Sequence, residues 1–147
     1  MMRLHLRPAT MDDASILLQW RNDESTRMAS RNQEVVAEAE HLEWLKRSFA
    51  DDNRKILIAE VDGQPVGTIR LDQNDEDSTE VSWTVAPSSR GKGIGKAIVR
   101  AAIAGTSGKL IAYVREENIA SQKIATTVGF ERAEHQLNEL VLFELQN

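Results

Sequence analysis

Apolar and polar residues alternate from the start of the chain. Residues 3–7, RLHLR, carry this period of two and predict a first strand. Pro8 ends it. Thr10 then stands as a helix cap, with Asp12 and Asp13 in the first turn, where the peptide dipoles favour negative charge. Ala14, Ile16, Leu17, Leu18 and Trp20 give that helix its apolar content, to about Asn22. The polar run that follows, NDESTRMASRNQE, has no period and predicts an irregular connection. Leu42, Leu45 and Phe49 recur near helical spacing and predict a second helix from about Val36 to Phe49.

The pattern then changes to strands. KILIAEV (55–61) and PVGTIRL (65–71) flank Asp62-Gly63, a strong hairpin signal. EVSWTVA (80–86) is a third consecutive strand, stopped by Pro87. A glycine-rich loop at 88–95 leads into KAIVRAAIAG (96–105), a helix closed by Gly105. KLIAYV (109–114) reads as a buried strand. Asn118 to Val128 reads as a helix closed by Gly129, and FERAEH (130–135) and ELVLFEL (139–145) as two final strands. The order is β-α-α-β-β-β-α-β-α-β-β. It predicts an α/β (α+β) fold with a mixed, mostly antiparallel sheet of six to seven strands, flanked by about four helices on both faces. The 96–105 helix would be a right-handed crossover to a parallel neighbour. No repeat, linker or composition break divides the chain, so residues 1–147 are expected to form a single domain.

Composition narrows the function. The chain has 147 residues, 41% of them hydrophobic, enough for a real core and against disorder. It has no cysteine, which excludes a disulfide framework, a zinc ribbon and a thiol nucleophile. Its three histidines, at 5, 41 and 135, are too scattered for a His-rich metal site, and no metal is expected. The start, MMRLHLRPAT, has no apolar signal region, and no apolar run approaches a membrane span. A soluble, cytoplasmic protein with no membrane partner is therefore expected. A net charge of −5 argues against nucleic-acid binding.

That average hides an asymmetry. Asp72 to Glu80 holds Asp72, Asp75, Glu76, Asp77 and Glu80 with no base. Val81 to Arg115 then holds Arg90, Lys92, Lys96, Arg100, Lys109 and Arg115 with no acid. A basic block in an acidic chain suggests a bound anion, the alternative being a solvated helix face. Within it, Arg90-Gly91-Lys92-Gly93-Ile94-Gly95 joins a strand to a helix. A helix start offers free N–H groups and partial positive charge, and glycines let the backbone approach a phosphate. Lys92, Lys96 and Arg100 are spaced to share one helix face. The P-loop pattern fails, because Lys96 stands five residues after Gly91. The dinucleotide pattern fails in both registers, meeting Lys96 or Ile98 where glycine is needed. Arg-x-x-Gly-x-Gly fits, as Arg90, Gly93 and Gly95.

This motif, WTVAPSSRGKGIGKAIV, resembles the core motif of the GNAT superfamily of acetyl-coenzyme A-dependent N-acetyltransferases. NIASQKIATTVGF resembles that family's second motif, with Asn118 and Ser121 followed by Gly129-Phe130, and the element order is the family's order along nearly the whole chain. The resemblance implies that strands 80–86 and 109–114 splay to admit a pantetheine arm. It implies that the amides of Arg90, Gly91, Lys92, Gly93, Ile94, Gly95 and Lys96 hold the pyrophosphate. By the same resemblance Val85 offers backbone to the arm, Asn118 and Ser121 meet it from the other side, and Glu80 is the base that deprotonates the attacking amine, possibly through water. The family's tyrosine acid, four residues before Gly-Phe, is here Ala125. Ser121, Thr126 or Tyr113 could substitute, and no spacing selects among them.

The acceptor site of such folds is built from the first two helices and their connection, with the last strands, here Trp20, Arg21, Asn22, Asp23, Arg27, His41 and Trp44, with Trp83 on the strand before the loop. LLQWRNDESTRMAS and EHLEWL resemble the branch that acts on nucleotide-linked amino sugars in surface-polysaccharide synthesis, where an aromatic and an arginine could meet a base and its phosphates. The expected partner is therefore a small-molecule amine. Two alternatives stand: acetylation of a protein N-terminal amine, and a non-catalytic acyl-coenzyme A sensor lacking the tyrosine. Exposed final strands would permit a homodimer.

Overall fold

The computed structural model describes residues 3–74, 77–137 and 139–147. Asp75 and Glu76 of the acidic run lie outside the described residues. Seven strands form one sheet in the order β1-β2-β3-β4-β5-β7-β6. In chain order β1 is Leu4–Pro8, β2 Arg54–Val61, β3 Gln64–Gln73, β4 Ser78–Val85, β5 Lys109–Arg115, β6 Glu131–Leu137 and β7 Leu140–Gln146. All neighbours are antiparallel except β4 and β5. The helices are α1 Ala14–Asn22, α2 Glu24–Met28, α3 Glu38–Phe49, α4 Ile94–Ala104 and α5 Ile119–Thr127. None of them is long and apolar enough to cross a membrane.

Each face of the sheet has its own core. On one face Ile69, Leu71, Val81, Leu110, Ala112 and Phe143 meet Ile98, Val99 and Ala102 of α4 and Ala125 of α5. On the other, Ile56 and Ile58 meet Trp20 and Leu17 of α1 and Leu45 of α3. Ile58, Ile69, Ile98 and Leu110 are all fully buried. Each such side chain stabilises the fold by about 1.5–3 kcal/mol. The alternation along β3 and β4 sends Arg70, Asp72, Glu80 and Ser82 toward the α1–α3 face.

Four local expectations are corrected. The segment after Asn22 is not wholly irregular. The Asp23 carboxylate accepts from the Thr26 N–H and caps the short helix α2. The second long helix starts at Glu38 rather than Val36, because the Asn22 side chain pairs with both the N–H and the C=O of Val36 and holds it extended. The helix α4 starts two residues before Lys96, with Gly93 as its N-cap. Lys92 therefore lies off the helix, and only Lys96 and Arg100 share its face. With α2 counted, the described helices number five rather than about four.

Candidate active site

The parallel ladder between β4 and β5 is short. Ser78, Thr79 and Glu80 pair with Lys109, Leu110 and Ile111, and there it ends. Beyond it β4 stays paired with β3 out to Val85 opposite Gly67, and β5 stays paired with β7 out to Arg115 opposite Leu140. Each strand keeps its outer neighbour and loses its inner one, so the two form a fork with Glu80 and Ile111 at its vertex. Backbone groups facing such a gap need hydrogen-bonding partners, and an extended ligand can supply them.

The glycine loop closes the open end. After a 3-10 turn at Pro87–Ser89 the chain reaches Gly93, whose φ of 77° only glycine adopts at low cost. No side chain caps α4, so its first amides have no side-chain acceptor. The uncapped start of this eleven-residue helix, with Lys92 and Lys96 exposed beside it, offers the N–H groups and positive charge that suit an anion.

The side chain of Arg90 points elsewhere. It donates to Asp23 Oδ2 at 3.0 Å, to Thr26 Oγ1 at 2.8 Å and to the Ser25 hydroxyl, which ties the loop to α2. Burial raises the Asp23 pKa, but hydrogen bonds from Ser25, Arg90 and the Thr26 N–H outweigh it and bring the carboxyl down to about 2.

On the α1–α3 face, Glu80 accepts from Arg31 Nη2 at 2.9 Å. The Arg31 guanidinium also lies 4.8 Å from the Tyr113 ring centre. Arg115 fixes this connection from below, donating to the carbonyls of Ser30 at 2.7 Å and Arg31 at 3.1 Å. Tyr113 thus shares the Glu80 face. The other two substitutes for the missing tyrosine, Ser121 and Thr126, sit on α5 across the sheet. The Thr126 hydroxyl donates into its own helix, to the carbonyls of Gln122 and Lys123. Asn118 caps α5 by accepting from the Ser121 N–H. Ala125 is fully buried in the core.

The remaining sequence candidates scatter. Trp20 is 5% exposed and belongs to the α1–α3 core, so it presents almost no surface to a ligand. Asn22 is committed to Val36. Val85 and Trp83 pack toward α4 and α5, where Trp83 Nε1 is sealed from solvent with no acceptor among the described residues. His41 is buried and bonded to the Ala14 carbonyl. Arg21 donates from Nη2 to the Asn32 carbonyl at 2.6 Å, while its Nη1 is sealed and has no partner among the described residues. The residues that sequence patterning missed are Arg31 and Arg70. Arg31 lies in an aperiodic run and Arg70 on the polar face of a strand, so neither carries a local signal.

A family model described as an acetyltransferase (GNAT) domain matches residues 3–131. Among solved structures, the spermidine N-acetyltransferase of Vibrio cholerae, in complex with coenzyme A and spermine, superposes with a TM-score of 0.88. The two are 18% identical over 97% of this chain and 94% of that one. A domain from Methanocaldococcus jannaschii has a TM-score of 0.87 at 22% identity, with both chains fully covered. An aminoglycoside acetyltransferase in complex with coenzyme A has a TM-score of 0.84 at 18% identity, covering 99% of this chain and 95% of that one. No curated protein matches the chain by sequence.

Proposed function

We propose, given that this chain belongs to the GNAT acetyltransferase family, that it moves an acetyl group from acetyl-coenzyme A to the primary amine of a small acceptor. The observation that carries this reading is the fork. A β4–β5 ladder that stops at Glu80–Ile111 fits a pantetheine arm lying between the strands. The uncapped α4 start fits a pyrophosphate. The complexes of the Vibrio cholerae and aminoglycoside enzymes with coenzyme A support the same donor.

The donor brings an acyl group already activated as a thioester. The nitrogen forms a bond to the carbonyl carbon, and the carbon–sulfur bond breaks to release a thiolate. An alkyl ammonium has no lone pair, and with a pKa near 10.4 it predominates at neutral pH. Glu80, at the vertex of the fork, takes that proton, directly or through water. Val85 and Asn118 flank the arm, and the amides from Arg90 to Lys96 take the pyrophosphate. The thiolate, with an ordinary thiol pKa near 8.5, leaves without a dedicated acid.

For the acceptor, the α1–α2 segment and the 40–45 stretch support a nucleotide-linked amino sugar, through their likeness to that branch of the family. A second reading rests on Ala125. With the tyrosine absent, the chain could hold acyl-coenzyme A as a sensor. Thiol release from acetyl-coenzyme A across a panel of amines separates the two. Release with at least one small amine supports the enzyme. Tight coenzyme binding with no release by any amine supports the sensor.

A further inference from the structure

The α1–α3 face beside Glu80 carries more arginine than its carboxylates balance. Arg54 Nε lies 2.7 Å and Arg70 Nε 3.0 Å from the two oxygens of Asp72, so one carboxylate serves two guanidiniums. Both guanidiniums also lie 5.5 Å from the Trp44 ring centre, which gathers them at one spot. Among the described residues Arg27 has carbonyl partners only, Asn22 and Gln33, each at 3.2 Å. Arg21 has one carbonyl partner, Asn32, and its sealed Nη1 has none among the described residues. Among the described residues these four cations thus have one carboxylate partner, Asp72, which only Arg54 and Arg70 touch, in a chain whose net charge is −5. Burial lowers the proton affinity of Arg21 below that of an ordinary arginine, and the charges of Arg27 and then Arg70 lower it further. Guanidiniums gathered on one face with so little carboxylate are costly unless an anion joins them.

The cluster adjoins the proposed chemistry. Arg70 pairs with Ser82, and Ser82 is two residues from Glu80 on the same strand face. That diagonal spacing is about 7–8 Å between backbones, within reach of one small molecule. Guanidinium forks bind phosphate and carboxylate in a way that a point charge does not.

We infer that the acceptor carries an anionic group, phosphate or carboxylate, besides its amine, and that Arg21, Arg27 and Arg70 hold this anion while Glu80 receives the amine. The inference rests on the acetyltransferase reading and narrows its acceptor class. A polycationic amine is disfavoured, since it would set further positive charge against unbalanced arginines.

The test measures thiol release with glucosamine, glucosamine 6-phosphate, UDP-glucosamine, glycine and spermidine. The expected result is a kcat/KM at least about tenfold higher for phosphate- or carboxylate-bearing amines than for glucosamine and spermidine, the worth of one charged hydrogen bond. The phosphate and carboxylate arms identify which anion is read. Arg27→Gln and Arg70→Gln should each reduce that preference by a similar factor. Glucosamine or spermidine used as efficiently as every anion-bearing amine overturns the inference while leaving the acetyltransferase reading intact. If no amine releases thiol, that reading fails separately, and inorganic pyrophosphate titrated into coenzyme-saturated protein decides. Binding that Arg70→Gln weakens supports the anion site, and binding that is absent or unaffected overturns it.

Discussion

Arg31 Nη2 donates to Glu80 Oε2 across 2.9 Å, between residues 49 positions apart in the chain. The connection after α2 is thereby laid over the vertex of the fork, with Tyr113 beneath the same guanidinium. The proposed base has a defined orientation because a cation from a distant segment holds it.

Glu80→Gln tests the base directly. The amide oxygen still accepts from Arg31, so the local structure is retained while the proton acceptor is lost. Thiol release at neutral pH should fall about 10²-fold or more, with coenzyme A affinity changed far less. Near-normal turnover would remove Glu80 from the mechanism.

Arg90 lies in the glycine motif, yet its side chain binds α2. Arg90→Ala should therefore loosen α2 more than it weakens the donor site. Hydrogen exchange at the amides of residues 24–28 should accelerate, and coenzyme A affinity should stay within about tenfold of wild type. A larger loss of affinity, with α2 still protected, would return the guanidinium to the pyrophosphate.

Gly67 stands where β3, β4 and α4 converge. A Cβ there would lie 2.6 Å from the Thr84 carbonyl oxygen and 2.7 Å from Ile98 Cδ1. The first contact is backbone and cannot rotate away. Gly67→Ala should cost about 1–3 kcal/mol, read as a lower midpoint in denaturant with an unchanged slope.

His41 predicts a pH dependence of stability. Burial lowers its pKa below 6.5, opposed by the bond to the Ala14 carbonyl. The unfolded chain, with an imidazole pKa near 6.5, then binds the proton more readily than the folded one. The contribution is complete above about pH 6.5 and declines as pH falls below it toward the lower folded value. His41→Asn should flatten the dependence of unfolding free energy on pH between about 7 and 5. An unchanged slope would show that His41 accepts a proton in place.

The separation between what the chain announces and what folding adds is clearest at particular residues. The run EVSWTVA announced β4, and turn chemistry placed the hairpin at Asp62-Gly63. A dense glycine motif marked the start of α4 to within two residues. The short helix α2 was missed because five residues give no period, and its determinant is one cap, Asp23 onto Thr26. Trp20 looked like a ligand contact in sequence, but aromatic residues read alike whether they face a core or a cleft.

The linear chain by itself determined the order of the strands and of the longer helices, the two-sided core and the position of the glycine loop. These follow from period, turn residues and charge within a few neighbouring positions. Only the tertiary structure decided that β4 and β5 part after Glu80, that Arg31 sits on that carboxylate, and that Arg54 and Arg70 share Asp72 beside Trp44. Such relations join segments up to 49 residues apart. They depend on sheet register and on which strand face each side chain takes, and polar residues in an aperiodic run carry no record of either.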